Sequence, residues 1–507
     1  MFATIPSAVI LGAEGHRVSV EVHVGDGLPG FHLVGLPDAS VREARDRVRA
    51  AIMSTGRSFP SGKITVNLAP SQTKKTGSGL DLAIAVGILV ADRHVPPDAV
   101  RGLGFVGELG LDGSVRGVAG CAPMVGALAS VDPVVAVASR REAVVATDRH
   151  VRAVATLTEL VDTLACEAPW PDHDDPDPPE SVDVAPDLRE VRGQEVARLA
   201  LELSAIGGHH LLLVGPPGAG KTMLAERLPG LLPDLEPSAA LETSMVHSAA
   251  GLALPAVGLV TRPPFRSPHH TASQVAIVGG GSHALRPGEI SIATNGVLFL
   301  DELPEFPVHV LETLRQPLES GRMSINRAAL STVLPADFLL VAAMNPCPCG
   351  GGRGEPSDCT CGHDRVRRYR SRLSGPVLDR FDLRIRVTPP DTDQLMSSCP
   401  GESSAEVAPR VAAARAQALE RQGVLNGRLA PAHLDSVAPL TESARAAVRH
   451  ELERGRLSGR GYHRIRRLSR SIADRRGGDT VDLCDVDLAH QLPSPKAEWT
   501  ITRGYQP

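Results

Sequence analysis

Gly215-Pro216-Pro217-Gly218-Ala219-Gly220-Lys221-Thr222 follows a short apolar run, His210-Leu211-Leu212-Leu213-Val214, and precedes a helical pattern, Met223-Leu224-Ala225-Glu226-Arg227-Leu228. Strand, glycine-rich loop and helix is the context that a phosphate-binding loop requires. Glycines let backbone N–H groups turn inward around phosphates, and the helix N-terminus adds the positive end of its dipole. Gly215, Pro216, Pro217, Gly218, Ala219 and Gly220 are therefore the expected nucleotide cradle. Lys221 is placed to reach the β- and γ-phosphates of ATP, and Thr222 to hold Mg²⁺.

A second signal lies downstream. The apolar strand Gly296-Val297-Leu298-Phe299-Leu300 ends in Asp301-Glu302. Asp301 suits Mg²⁺ binding through water, and Glu302 suits polarisation of an attacking water. A third apolar strand, Phe338 to Met344, ends in Asn345, a polar group able to orient water or sense the γ-phosphate. Ser374 to Asp382 then presents Arg380 on a turn. Its two readings are an arginine finger acting on a neighbouring subunit and a surface salt bridge to Asp379 or Asp382.

The rest of the chain bounds these readings. Its 507 residues allow two to four domains. Composition is globular, with 42% apolar and 22% charged residues, and the net charge of −5 excludes a globally basic nucleic-acid coat. Asp81 to Ala91 is apolar but too short for a membrane span, so no membrane partner is expected. Met1 to Pro6 lacks the pattern of a secretory signal. Eight cysteines, four of them clustered, point to a reducing compartment, the cytoplasm.

Residues 1–166 alternate strand-like and helical runs. Val18 to Val24 has a period of two, Ser40 to Met53 has helical spacing, Ile64 to Leu68 is a strand, and Gly104 to Arg116 reads as a hairpin. This segment resembles the proteolytic domain of Lon proteases, an α+β fold shared with ribosomal protein S5. The resemblance implies a Ser–Lys dyad, but the serine position falls on Gly79 and the lysine position on Ala122. Ser78 and Lys75 lie nearby, out of register. The expectation is a Lon-like domain without peptidase activity, with a shifted dyad on Ser78 as the alternative.

Residues 167–186 carry seven acids and six prolines, without Lys or Arg. They read as a stiff, solvated linker, or as an acidic DNA mimic. The ATPase core is expected over 187–390, a second linker over 391–404, a helical lid over 405–495 and a tail over 496–507. The whole is then an α/β multidomain protein.

The set Gly215–Thr222, Asp301-Glu302, Asn345 and Leu378-Asp379-Arg380-Phe381-Asp382 resembles an AAA+ ATPase of the helix-2-insert clade. More narrowly, it is similar to the magnesium-chelatase-like family called YifB or ComM. The supporting blocks are Phe265 to Thr271, Arg286 to Ser291, Asn295 to Leu303, Arg315 to Glu319 and Ala342 to Gly350. The resemblance implies a homohexameric ring that hydrolyses ATP and acts as a DNA helicase, promoting branch migration in recombination and natural transformation. It also implies a γ-phosphate contact by Arg464, made in cis.

Within that frame, His269, His270, Arg322 and Arg327 are expected on loops aimed at DNA in the pore; a solvated hairpin, or metal binding by the histidine pair, is the alternative. Cys347, Cys349, Cys359 and Cys361, in the Gly-rich insert 346–363, suit a tetrahedral structural zinc, with free thiols and redox sensing as alternatives. Eleven arginines against three acids between Arg445 and Arg476 suit either a DNA-facing surface or nucleotide and subunit interfaces. Two further functions stay open: a chelatase motor inserting Mg²⁺ into a tetrapyrrole, and a Lon-like ATP-dependent protease.

Overall fold

In the computed structural model the residues described are 1–71, 75–173, 186–281, 285–327, 330–350, 359, 361–390, 392–396 and 401–492. The chain is a mixed α/β protein built on several sheets. Strands β1 (Phe2–Leu11) and β2 (Glu14–Gly25) pair antiparallel along their length. Val18, Val20 and Val22 point inward, as their period of two predicts. Strand β3 (Gly30–Val34) and β4 (Lys63–Ala69) complete the sheet in the order β1-β2-β4-β3. Helix α1 (Ala39–Ser54) starts where Asp38 accepts a hydrogen bond from Val41 N at 2.9 Å, an N-cap. Val41, Ala44, Val48 and Ile52 are its buried face. Helix α2 (Asp81–Ala91) is buried at every position, because it lies between this sheet and α1. Its apolar composition makes a core, and no helix among the described residues is long and apolar enough to cross a membrane.

Two expectations about this part change. The segment Gly104–Arg116 divides. Strand β5 (Leu103–Val106) joins β6 (Asp132–Ala136) and β7 (Arg152–Val154) in a parallel sheet, and only Glu108–Leu109 with Val115–Arg116 forms a hairpin. All four residues of β5 are buried, which a covered parallel sheet satisfies and an exposed hairpin does not. Residues 167–173 lie against this unit instead of running free. The Arg152 guanidinium sits 4.3 Å over the Trp170 ring, and Arg140 donates to the His173 carbonyl at 2.6 Å. One aromatic anchor outweighs a polar composition. Residues 174–185 of that stretch fall outside the described residues.

The second large sheet holds β8 (Leu211–Val214), β9 (Phe265–Arg266), β10 (Val297–Leu300), β13 (Leu339–Met344) and β14 (Leu383–Arg386), in the order β9-β10-β13-β8-β14 and parallel throughout. Strands β11 (Arg322–Arg327) and β12 (Leu330–Pro335) form a separate antiparallel hairpin. Alternate residues of the large sheet feed two apolar cores: Leu211, Leu213, Val341 and Ala343 on one face, Leu212, Leu298, Leu340 and Ala342 on the other. Burial on both faces explains the continuous apolar runs in the sequence.

Helix α3 (Cys121–Gly126), from the N-terminal part, docks on α6 (Pro237–Ala250) of the core. Gly120 N donates to Ser248 O at 2.8 Å, and Ala122 N to Ser248 Oγ at 3.2 Å. The β1–β2 turn also reaches across: Ala13 shares an apolar core with Val246, Ile325 and Leu334. Gly12 has φ +67°, and a Cβ there would lie 2.9 Å from Leu334 Cδ2, so both its conformation and its close approach call for glycine.

The C-terminal helices include α8 (Ser404–Gln422) and α9 (Gly459–Arg475), which pack on α4 (Glu195–Gly207). Most of the arginines dense in this stretch are used internally. Arg466 donates to Leu434 O and Ala438 O, Arg467 to Leu429 O, and Arg470 to Asp474; Arg475 meets Glu202, and Arg476 meets Asp485. Arg410 joins Arg475 on Glu202, fixing the helices to the core.

Within the N-terminal part, Asp81 is fully buried and accepts from Arg47 Nε at 2.6 Å and Arg47 Nη2 at 3.1 Å. Burial raises the Asp81 pKa, and the guanidinium opposes that rise. Arg47→Leu leaves the carboxylate buried without its partner, so denaturant titration at neutral pH should show a loss of about 3–5 kcal/mol. Asp81 holds its proton more tightly folded than unfolded, and the substitution tightens that hold. The deficit relative to wild type should therefore shrink as pH falls through the raised folded-state values toward about 4, and change little below it, where the carboxyl is protonated in both states.

Candidate active site

The glycine-rich loop leaves β8 at Val214 and turns through Gly218 (φ +76°) and Gly220 (φ +84°) into α5 (Lys221–Arg227). Gly215 leaves no room for a side chain, since a Cβ would lie 2.2 Å from Val387 O. Lys221 is buried, and its Nζ donates to Gly215 O at 2.8 Å, Pro216 O at 2.9 Å and Asn345 Oδ1 at 3.1 Å. Burial pulls its pKa below the ordinary lysine value, and Asp301 and Glu302 oppose the shift. Thr222 Oγ1 donates to Asp301 Oδ2 at 2.8 Å. A hydroxyl and a carboxylate this close form the hard oxygen set that Mg²⁺ takes.

Glu302 follows Asp301 in the left-handed region, at φ +51°, a strained position for a non-glycine residue. That turn sends the carboxylate out of the strand line. His270 Nδ1 lies 3.4 Å from Glu302 Oε2. The His270 ring lies tilted against His269 with centroids 4.1 Å apart and makes an edge contact with the Phe306 ring. The sequence assigned the histidine pair to DNA; the fold sets His270 against Glu302 as well.

Sequence reasoning missed Gln194. Its Nε2 donates to Ala219 O at 2.7 Å, bracing the phosphate loop from the segment before α4. The signal available was Gly193-Gln194 directly before a helix, with Gln194 at φ +54°.

Lys221, Thr222, Asp301, Glu302 and Asn345 thus meet at the C-terminal ends of the strands, where open parallel sheets place ligands. Arg380 and Arg464 are elsewhere. Leu383 pairs with Leu211 at the start of β8, while Val387 N donates to Val214 O at its end. Arg380 therefore precedes β14 at the opposite edge of the sheet, roughly 13 Å of strand away from the loop. It is ion-paired with Glu319. That is a salt bridge, but not to the Asp379 or Asp382 considered above. Asp379 instead meets Arg460 at 2.8 Å, and Asp382 meets His209 at 3.2 Å. Arg464 lies in the same region, lining a cavity of about 140 Å³ with Asp382, Arg384 and His490. Burial lowers the Arg464 pKa and pulls that of Arg384 down to about 10, with Arg464 adding to the latter. The structure does not bring Arg464 to Lys221 of its own chain.

The four clustered cysteines do converge. Sγ of Cys347 is 3.2 Å from Cys349 and 3.4 Å from Cys359, Cys349 is 3.7 Å from Cys359, and with Cys361 all four Sγ atoms lie within 4.8 Å of one another. Four thiolates bound at about 2.3 Å to one tetrahedral ion are about 3.8 Å apart, so the donor set fits a metal. Burial, with the neighbouring thiols, pushes the Cys347 thiol up to about 12. His363 begins a helix outside the cluster. The cysteine turn also touches the phosphate loop: a Cβ on Gly350 (φ +90°) would strike the Pro217 ring at 2.7 Å.

Arg322 is exposed at the start of the β11–β12 hairpin, whose residues Met323 and Ile325 are buried. Arg327 is in β11, and its side chain falls outside the described residues, as does the hairpin tip at 328–329. His269 is exposed.

Lys221→Ala removes a charge-assisted donor of about 1.5–3 kcal/mol. Titration with a fluorescent ATP analogue should show binding weakened roughly ten- to a hundredfold.

Comparison with known proteins agrees with this geometry. The profile described as "Magnesium chelatase, subunit ChlI" matches residues 187–395; two related profiles, "Subunit ChlI of Mg-chelatase" and "Magnesium chelatase, subunit ChlI C-terminal", match 20–138 and 401–492. The chain is 42% identical to the competence protein ComM of Haemophilus influenzae over 486 residues, covering 94% of this chain and 95% of that one. It is 42% identical to YifB of Escherichia coli K12 over 501 residues, 95% and 94% of the two chains. A more distant likeness, 26% over 226 residues (41% of this chain, 30% of the other), joins it to a protein named probable DNA helicase MCM9 in Arabidopsis thaliana. With the phosphate loop, the acidic strand end and these near-full-length matches together, the chain belongs to the YifB/ComM family of magnesium-chelatase-like AAA+ proteins.

Proposed function

We propose that the protein is an ATP-hydrolysing hexameric ring motor that acts on single-stranded or branched DNA, a ComM-like helicase promoting branch migration in recombination or natural transformation. One observation carries the ring. Lys221, Thr222, Asp301, Glu302 and Asn345 sit at one end of the parallel sheet, while Arg380 and Arg464 sit at the other. Neither group is a whole hydrolytic site, and a head-to-tail ring joins them. In this reading Arg464 reads the γ-phosphate of the neighbour, in trans. The similarity to proteins named ComM and MCM9 supports DNA as the substrate.

Within one composite site, Lys221 binds the β- and γ-phosphates, and Thr222 and Asp301 hold Mg²⁺. When bound, the ion would neutralise charge as the γ-phosphoryl group passes from ADP to water. Glu302 accepts the proton of the attacking water, Asn345 orients that water, and Arg380 meets the developing charge from the next subunit.

The chelatase reading keeps its support in the family profiles. The protease reading draws on the Lon-like, S5-like topology that we assign to residues 1–166. There Ser78 Oγ is paired to Glu108, and Lys75 Nζ, buried, donates to Pro70 O. Ala122, at the lysine position, is fixed in the joint with Ser248. These contacts favour a structural part without peptidase activity, and to the residues after it we assign an ATPase core carrying the helix-2 insert and then a helical lid. The seven described cysteines, none in a disulfide, suit the cytoplasm.

Cys347, Cys349, Cys359 and Cys361 are assigned to a structural zinc that braces the phosphate loop through Gly350 and Pro217. Emission spectrometry should find one zinc per wild-type chain and none in Cys349→Ser. Chelation should lower the thermal midpoint of the wild type only.

For the motor itself, Glu302→Gln should bind ATP normally and hydrolyse it about 10²- to 10⁴-fold more slowly. Four-way-junction DNA should stimulate wild-type hydrolysis. No stimulation by any DNA would count against the DNA reading, and casein degradation would revive the protease.

A further inference from the structure

Helix α7 (Arg315–Ser320) ends at Gly321 (φ +66°), and the chain then enters β11. The two elements are stapled: Gln316 Nε2 donates to Ser324 Oγ at 2.8 Å, and Ser320 Oγ donates to Arg322 O at 3.1 Å. Displacing the hairpin therefore displaces α7. The last turn of α7 carries Glu319, whose carboxylate is ion-paired with Arg380. Around Arg380 the other nearby charges are repulsive. Arg315 and Arg460 both disfavour its charged form, and burial disfavours it more. Each of those neighbours has its own carboxylate: Arg315 meets Glu312 at 3.1 Å, and Arg460 meets Asp379 at 2.8 Å. Glu319 is thus the group that keeps Arg380 folded back on its own subunit.

We infer that Glu319 is a positioning residue that restrains Arg380 until the β11–β12 hairpin is displaced by bound nucleic acid. This rests on the reading that Arg380 completes the neighbouring subunit's site. Glu319 and Arg380 are both partly exposed, at 54% and 34% for their side chains, so the pair is weak and readily exchanged for a phosphate. Without Glu319, the guanidinium faces two like charges and swings toward the subunit boundary. Engagement becomes independent of the hairpin.

The test is steady-state hydrolysis by full-length protein, with and without a four-way DNA junction. Glu319→Gln, nearly isosteric, should raise the DNA-free kcat about two- to fivefold, the span of an exposed ion pair. KM for ATP and the DNA-saturated rate should be unchanged, so the stimulation ratio falls by the same factor. Glu319→Asp, which keeps the charge, should lie between. Glu319→Gln combined with Arg380→Ala should be as inactive as Arg380→Ala alone. A DNA-free rate that is unchanged or lower in Glu319→Gln, while Arg380→Ala is inactive, overturns the restraint and leaves the finger standing. Wild-type turnover in Arg380→Ala overturns the finger, and the restraint with it.

Discussion

The Lys221 ammonium is held where burial opposes its charge, and three oxygen acceptors and two nearby carboxylates make that position tolerable. The surrounding structure depends on this arrangement. Two acceptors come from the loop itself, so the loop must turn tightly, and Gly215, Gly218 and Gly220 allow it. The third, Asn345, comes from the adjacent strand, so β8 and β13 must be neighbours in register. The carboxylates come from β10, beyond β13. A parallel sheet buried on both faces meets all three demands, because its strands end together on one side.

The same sheet explains the division of the site. Its other edge carries Arg380 and, close by, Arg464, with burial holding the Arg464 guanidinium below its ordinary pKa. Arg380 is ion-paired there with Glu319, a partly exposed pair that a phosphate can replace. Each chain offers a phosphate cradle at one end and cations at the other, and in the ring we propose successive copies would bring the two together. The N-terminal part takes part in the architecture rather than trailing behind it. Its β1–β2 turn is packed into the same core that supports the β11–β12 hairpin, and helix α3 is hydrogen-bonded to Ser248 of α6.

Much of the fold was legible in the sequence where periodicity was local. The phosphate loop, the acid-ended strand and helix α1 follow from spacing alone, because backbone geometry and burial act over a few residues. The apolar run at Asp81 to Ala91 read as a helix too short for a membrane, and packing places that helix in the core. Gly104 to Arg116 split because β5 found partners, β6 and β7, that lie far along the chain. Trp170 turned part of an expected linker into a packed segment. For the site, the grouping of Lys221, Thr222, Asp301, Glu302 and Asn345 was readable, and the place of Arg464 was not. Arg464 was read as a cis contact, and it lines a cavity with Asp382 and Arg384, at the start of β14. Glu319 and Gln194 act through contacts across the fold, and nothing in their local sequence marks those partners.

The central claim is that hydrolysis takes place between subunits, and subunit mixing tests it most directly. Lys221→Ala chains lack the cradle and keep Arg380; Arg380→Ala chains lack the finger and keep the cradle. Each alone should be inactive. Mixed in equal amounts and allowed to assemble, they should regain about a quarter of the wild-type rate, because one boundary in four pairs an intact cradle with an intact arginine. Recovery of hydrolysis on mixing is the predicted result. No recovery from mixtures shown to co-assemble would contradict the shared site.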